Sequence, residues 1–267
     1  MAAADRQEGV SGRTVWVARI AFALGFLAIW EGVVRLGLVN AFWVSSPSLI
    51  WEQSVVFFRE GELVPHIWET VVEMMLGLAS GCVVGVAVGI ALGANPRLRR
   101  IAEPYMIAFN AFPKIALAPL YLVWFGITLT MKVAMAFSLV VFVMILGTFA
   151  GFVSVRRDWV DHARLLGASR AQIVRHIVVP ALVPWIYTSF RLSIGFALIG
   201  AILGEFIATQ RGIGYLIDQG VGMFDTTTVF VGLVALLVIA LVVNGIADWL
   251  ATRLHVVRVQ LNDQQVL

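Results

Sequence analysis

Three ionisable side chains, Lys114, Arg191 and Glu205, stand inside otherwise apolar stretches, and they are the residues best placed to do chemistry. A charge in hydrocarbon is costly, so it pairs, binds free backbone or lines a polar pathway. Lys114 lies about ten residues beyond Glu103, roughly 15 Å along a helix rising 1.5 Å per residue. It sits between Pro113 and Pro119, where proline interrupts helical bonding and frees carbonyl groups. A cation there attracts an anionic solute crossing the midplane, or it pairs with a carboxylate such as Glu205; both readings stay open. Arg191 and Glu205 project within about 40° of each other but roughly 21 Å apart, so they cannot pair. Arg191 reads as a structural anchor near one interface, and Glu205 marks the opposite end, where a solute would be handed over. Asn110 and Ser193 are further pathway candidates, although such residues equally serve as interhelical hydrogen bonds. Glu31 and Arg35, four apart, read as a local pair.

Bond-making chemistry has no such footing. The sequence contains no H-E-x-x-H and no G-x-S-x-G, and its four histidines (66, 162, 176 and 255) fall in loops or at span ends. Gly77-Leu78-Ala79-Ser80-Gly81 looks faintly like a serine elbow but belongs to a glycine series described below. The single cysteine, Cys82, excludes a disulfide within the chain and a thiolate metal cluster, and no other metal-ligand spacing appears. Neither lysine, Lys114 or Lys132, stands in a G-x-x-x-x-G-K-[ST] loop, so no nucleotide or other cofactor is expected on this chain. No nucleic-acid motif or basic stripe is present.

The elements that carry these residues are set by the solvent. Of 267 residues 60% are hydrophobic and 13% charged, with mean hydropathy +0.92; soluble proteins have roughly 45–50% and 25%. That surplus cannot fit in one soluble core, and the long unbroken apolar runs favour helices over a barrel. An all-α membrane protein follows. Six stretches are long enough to span: 15–37, 67–93, 104–125, 131–152, 184–205 and 228–249, the third and fifth interrupted by Pro113, Pro119 and Arg191. Arg6 and Arg13 precede an apolar run longer than a signal peptide's, so it reads as an uncleaved first span. Of the 19 Lys and Arg residues, twelve fall on the side of both termini and four (Arg35, Arg59, Lys132, Arg211) on the other. Positive residues stay inside, which makes the tails 1–14 and 250–267 and the segment 153–183 cytoplasmic. Outside, 38–66 contains Ser46-Pro47-Ser48, a helix start followed by apolar and polar residues in turn, and reads as a short interfacial helix or a solvated loop.

Gly77, Gly81, Gly85, Gly89 and Gly93 recur every fourth residue on one slowly drifting stripe. Small residues at that spacing let another helix backbone approach closely. The stripe is either tight packing within one subunit or a moving interface.

Residues 153–183 hold more structure than joining two spans requires. Asp158–Leu166 is a short amphipathic helix with Val160, Ala163, Leu165 and Leu166 on its apolar side. Gly167 stops it, Ser169 caps a second helix through Val178, and Pro180 and Pro184 are expected to close that helix before the next span. In shape this is a docking element.

The stretch Asp161-His162-Ala163-Arg164-Leu165-Leu166-Gly167-Ala168-Ser169, with Val178-Val179-Pro180, resembles the EAA loop of permease subunits in bacterial ABC importers: E-A-A, three residues, G-A-S, then I/V-x-L-P. Asp161, His162 and Val179 depart from the pattern, while the spacing of Ala163, Gly167 and Pro180 is intact. Asn95–Arg100, Pro113–Leu120, Trp124–Ile127, Arg191–Gly195 and Arg211–Ile217 are similar to the nitrate/sulfonate/taurine group, and the likeness runs from about residue 42 to 250. The resemblance implies a type I importer permease fold in the bacterial inner membrane and a second copy of the permease. It further implies two ATP-binding subunits that carry ATP and Mg, and a periplasmic or lipid-anchored solute-binding protein. Asp161, His162, Ala163, Arg164, Leu166, Gly167, Ala168, Ser169 and Pro180 would form the contact with the ATPase. Solutes of the group include taurine, alkanesulfonates, nitrate, bicarbonate and pyrimidine precursors; Lys114 favours an anion. A secondary transporter or channel without an ATPase partner is the competing expectation.

Overall fold

The computed structural model describes residues 12–207 and 210–253, and among them all regular structure is helical. The tails 1–11 and 254–267 lie outside the described residues. Helices α1 (Gly12–Arg35), α4 (Leu63–Ala94), α7 (Leu129–Ser154) and α12 (Thr226–Arg253) occupy four of the expected spans. Thirty-two residues of α4 make about 48 Å of helix, against roughly 30 Å of hydrocarbon, so its ends reach the interfacial zones.

The third and fifth spans depart from expectation. Instead of one span over 104–125, the chain forms α5 (Pro96–Ala111), a 3-10 turn (Lys114–Leu117) and α6 (Ala118–Phe125), with the two arms bent by 81°. Phe112 is extended (φ −66°, ψ 129°) because the ring of Pro113 crowds the preceding residue out of the helical region. Pro180 and Pro184, by contrast, do not end a helix. Helical structure continues from Arg170 to Ile207 through α9 (Arg170–Ile173), a π turn (Val174–Val178) and α10 (Val179–Ile207). In the π turn the amide of Val179 bonds back to the Val174 carbonyl, a wider spacing that makes room for the ring of Pro180 at its exit. The part of the segment 153–183 from Arg170 onward is therefore continuous with the fifth span.

The core is α4, α7 and α10, centred on Met74, Leu78, Val140, Met144, Ile194 and Ala197. The glycine stripe of α4 faces a second four-residue series on α7. A Cβ added at Gly77, Gly81, Gly85, Gly89 or Gly93 would fall on Ala136, Val140, Met144, Thr148 or Phe152, respectively. The stripe packs within one subunit.

Around this core lie α2 (Ala41–Val44), α3 (Pro47–Arg59), α8 (Arg157–Leu165) and α11 (Ile213–Gly222). The helix start at Ser46 is real: its hydroxyl accepts from the Leu49 amide. Glu31 does more than pair with Arg35 (2.5 Å); it also accepts from the amide and hydroxyl of Ser48 and so ties α1 to α3. Helix α1 is exposed from Trp16 to Ile29, and a Cβ at its Gly25 would meet nothing within 4 Å.

Replacing Gly85 by Val drives a side chain into Met144 and the Val141 carbonyl (2.9 Å from the added Cβ), and the overpacked seam costs about 1–3 kcal/mol. Thermal unfolding of the purified protein should show a lowered midpoint for Gly85→Val and an unchanged one for Gly25→Ala.

Candidate functional site

Helix α8 ends in a closed hydrogen-bonded turn. Gly167 has φ +82°, a conformation that only glycine adopts without strain. Its amide bonds to the Arg164 carbonyl (2.9 Å) and the Ala168 amide to the Ala163 carbonyl (2.9 Å), the two bonds that satisfy a helix C-terminus through a left-handed residue. Ser169 then opens α9 with a reciprocal cap: its hydroxyl accepts from the Gln172 amide, and the Gln172 side chain accepts from the Ser169 amide. The glycine-alanine-serine triplet thus turns one helix into the next with all three of its amides bonded. Asp161 pairs with Arg164 at 3.1 Å, and His162 Nδ1 donates to the Asp158 carbonyl at 2.6 Å, which fixes the ring along the helix. The turn presents Leu165 and Leu166 at 85% and 88% exposure, with Trp159 beside them under the Arg156 guanidinium. The two leucines stand outward between charged residues as a small exposed apolar tip. Pro180 stands apart, at the start of α10.

The break between α5 and α6 carries Lys114, half-buried, with its ammonium 5.0 Å from the centre of the Phe142 ring, which stacks on Phe109 at 5.9 Å. A desolvated cation over an aromatic face is attracted by the ring quadrupole. Lys114 does not pair with Glu205. Asn110 lies in the last turn of α5, its side chain outside the described positions. Ser193 is buried in α10, and its hydroxyl has no partner among the described residues. Arg191 pairs with Asp248 of α12 at 3.2 Å, and Tyr187 donates to the same carboxylate at 2.7 Å.

Glu205 belongs to a buried cluster at the end of the bundle that carries α3 and α11. It is 2% exposed; one oxygen accepts from Thr70 Oγ1 and the other from the Gly214 amide, each at 2.6 Å. Beside it Lys132 pairs with the wholly buried Glu73 and, at 3.2 Å, with Glu69. Lys132, counted from the sequence among the residues in water, is thus buried, because the first turn of α7 packs under α4 and α10. His66, assigned no partner in a span, accepts from the Gly212 amide at 3.0 Å and stacks on Tyr215. Glu69 and Glu73 were legible: two acidic residues four apart inside a predicted span require a buried cation. Thr70, Tyr187 and Asp248 carried no comparable signal. Among the described residues no group of His, Cys, Asp and Glu is arranged to hold a metal ion. A groove of about 610 Å³ between α4 and α12, lined by Trp51, Ile67, Met75, Val234, Val238 and Val242 among others, is apolar and touches none of these polar residues.

The sequence and the fold resemble those of known proteins. The chain is 27% identical over 219 residues, 80% of either sequence, to the taurine transport system permease protein of Escherichia coli (strain K12). It is 31% identical over 224 residues, 84% of either sequence, to the riboflavin transport system permease protein of Chloroflexus aurantiacus. Its fold matches a chain from the inward-facing MetNI methionine ABC transporter at TM-score 0.62 and 20% identity, covering 72% of this chain and 95% of that one. The family described as binding-protein-dependent transport system inner membrane component matches residues 81–256, more than half the sequence, and the chain belongs to that family: it is a multi-pass inner-membrane permease subunit of an ABC importer.

Proposed function

We propose that this permease is driven through the turn centred on Gly167, and that it passes a small anion, such as a sulfonate, taurine or nitrate, across the membrane beside Lys114. The observation that carries the first part is the hydrogen-bonded turn with Leu165 and Leu166 held outward: an apolar tip on polar helices suits a groove in a partner subunit. In this reading both termini and α8–α9 face the cytoplasm, following the arginines. Two ATP-binding subunits supply ATP hydrolysis with Mg, a second copy of the chain completes the pathway, and a solute-binding protein delivers the solute on the other side. Because α9 runs without interruption into α10, a push on the turn reaches the membrane interior along a single helix. A carrier that works without an ATPase gives no task to the outward leucines.

The anion reading rests on Lys114, a half-buried cation at the break of a span. The riboflavin relative supports a second reading, an aromatic heterocyclic solute, because Phe109 and Phe142 stack beside that same break.

Leu165→Asp and Leu166→Asp change only exposed side chains and leave the purified permease's stability as it is. Their cost in ATPase binding is about 2 kcal/mol or more, read as loss of ATPase subunits on affinity purification; retained capture overturns the docking role. Gly167→Pro removes the amide that closes the turn and forbids positive φ. Uptake by membrane vesicles should fall at least tenfold, about 1.4 kcal/mol, at unchanged protein level. Lys114→Ala should lower taurine or sulfonate uptake by about tenfold and Lys114→Arg should retain it. Equal uptake by all three forms removes the anion assignment and leaves the heterocyclic solute.

A further inference from the structure

The polar cluster at the α3/α11 end has no task in the transport cycle as described. It lies at the far end of α10 from the turn at Gly167, and it consists of the residues that receive α11. The first turn of a helix leaves its amides without partners inside the helix. For α11, three successive amides are each answered by a different side chain. Gly212 donates to His66 Nδ1 (3.0 Å), Ile213 to Thr70 Oγ1 (2.9 Å) and Gly214 to Glu205 Oε2 (2.6 Å), while Thr70 donates its own proton to Glu205 Oε1 (2.6 Å). The Thr70 hydroxyl is thus a relay, and Glu205 accepts one of the amides directly and backs another through it.

The local sequence makes room for this arrangement. Gly212 has φ +114°, and a Cβ at Gly212 or Gly214 would strike the Glu205 side chain. The carboxylate also sits at the positive end of the α11 dipole, where an anion is favoured. Lys132 directs its ion pairs to Glu73 and Glu69, and Glu205, with the Glu73 carboxyl and the Lys132 charge beside it, spends one oxygen on the Thr70 hydroxyl and the other on the Gly214 amide. Glu205 has no surface to offer a solute in this conformation.

We propose that Glu205 is a positioning residue, the centre of a clamp through which Thr70 and His66 of α4 and Glu205 of α10 hold α11 so that the three helices move as one body when the turn at Gly167 is driven. This rests on the permease reading, since that reading supplies the motion. It separates Glu205 from the residues that meet solute.

The test uses the full importer in lipid nanodiscs, with Cys82→Ala and spin labels at Val64→Cys on α4 and Gln219→Cys on α11, both exposed positions. Labelled chain is diluted with unlabelled chain so that one copy per complex reports. The distance between labels is measured without nucleotide and after trapping with ATP, Mg and vanadate. The clamp predicts one narrow distribution that trapping leaves in place. Thr70→Val, nearly isosteric, and Glu205→Gln should each broaden it or add a second population. Thr70→Ser should restore the single distance, and the double variant Thr70→Val/Glu205→Gln should be no broader than either single one, because both remove the same device. A wild-type distance that shifts on trapping overturns the clamp, as does a Thr70→Val distribution identical to wild type. If Glu205→Gln fails to accumulate, the comparison of Val with Ser at position 70 decides alone. If the wild-type chain captures no ATP-binding subunit, the permease reading fails instead, and the nucleotide-free distributions of the same variants still decide the clamp.

Discussion

In hydrocarbon an apolar side chain gains nothing by leaving its solvent for another apolar side chain, so two helices stay together only where their surfaces meet closely enough for dispersion and for the release of lipid to hold them. The seam between α4 and α7 meets that condition through five glycines, each opposed by a residue four positions on from the last, from Ala136 to Phe152. Every other element takes its place from this pair. Helix α10 lies on α7 with Gly200 against the backbone of Ala136 and Gly204 against that of Lys132. The same approach that brings α10 down on α7 carries Lys132 beneath α4, where Glu69 and Glu73 answer its charge.

From that seam the two working ends differ in how they satisfy backbone polar groups. At the α8/α9 end the chain closes its own turn: Gly167 and Ala168 bond back to Arg164 and Ala163, and Ser169 and Gln172 cap each other. Such a turn holds its shape without help from the membrane-embedded body and projects its leucines. At the α3/α11 end the amides of Gly212, Ile213 and Gly214 borrow their acceptors from α4 and α10. One end is closed by its own chain, the other by the helices it is fastened to.

Among the described residues, the span broken at Pro113 is where the run of helix gives way inside an apolar stretch and bends by 81°. There a cation, two stacked phenyl rings and an altered backbone direction meet. In a membrane, irregular backbone persists only where protein or a polar cavity covers it.

The sequence by itself determined what depends on neighbours in the chain: helices from unbroken apolar runs, the bend at Pro113 from the crowding of Phe112, the turn at Gly167 from a glycine between two helical patterns, and the cap at Ser169 from the glutamine three residues on. These are local steric and hydrogen-bonding rules, complete within a few residues. It misjudged Pro180, because whether a proline ends a helix depends on whether the preceding turn can widen, and the π turn at Val174–Val178 does so. Only the tertiary structure decided that Lys132 is buried, that Arg191 meets Asp248, and that Glu205 meets α11 instead of Lys114. A charge in a bilayer must find a partner, but which partner is set by the helix that the glycine seam and the close contacts of α10 bring alongside, and that is a property of packing between residues as much as 135 positions apart.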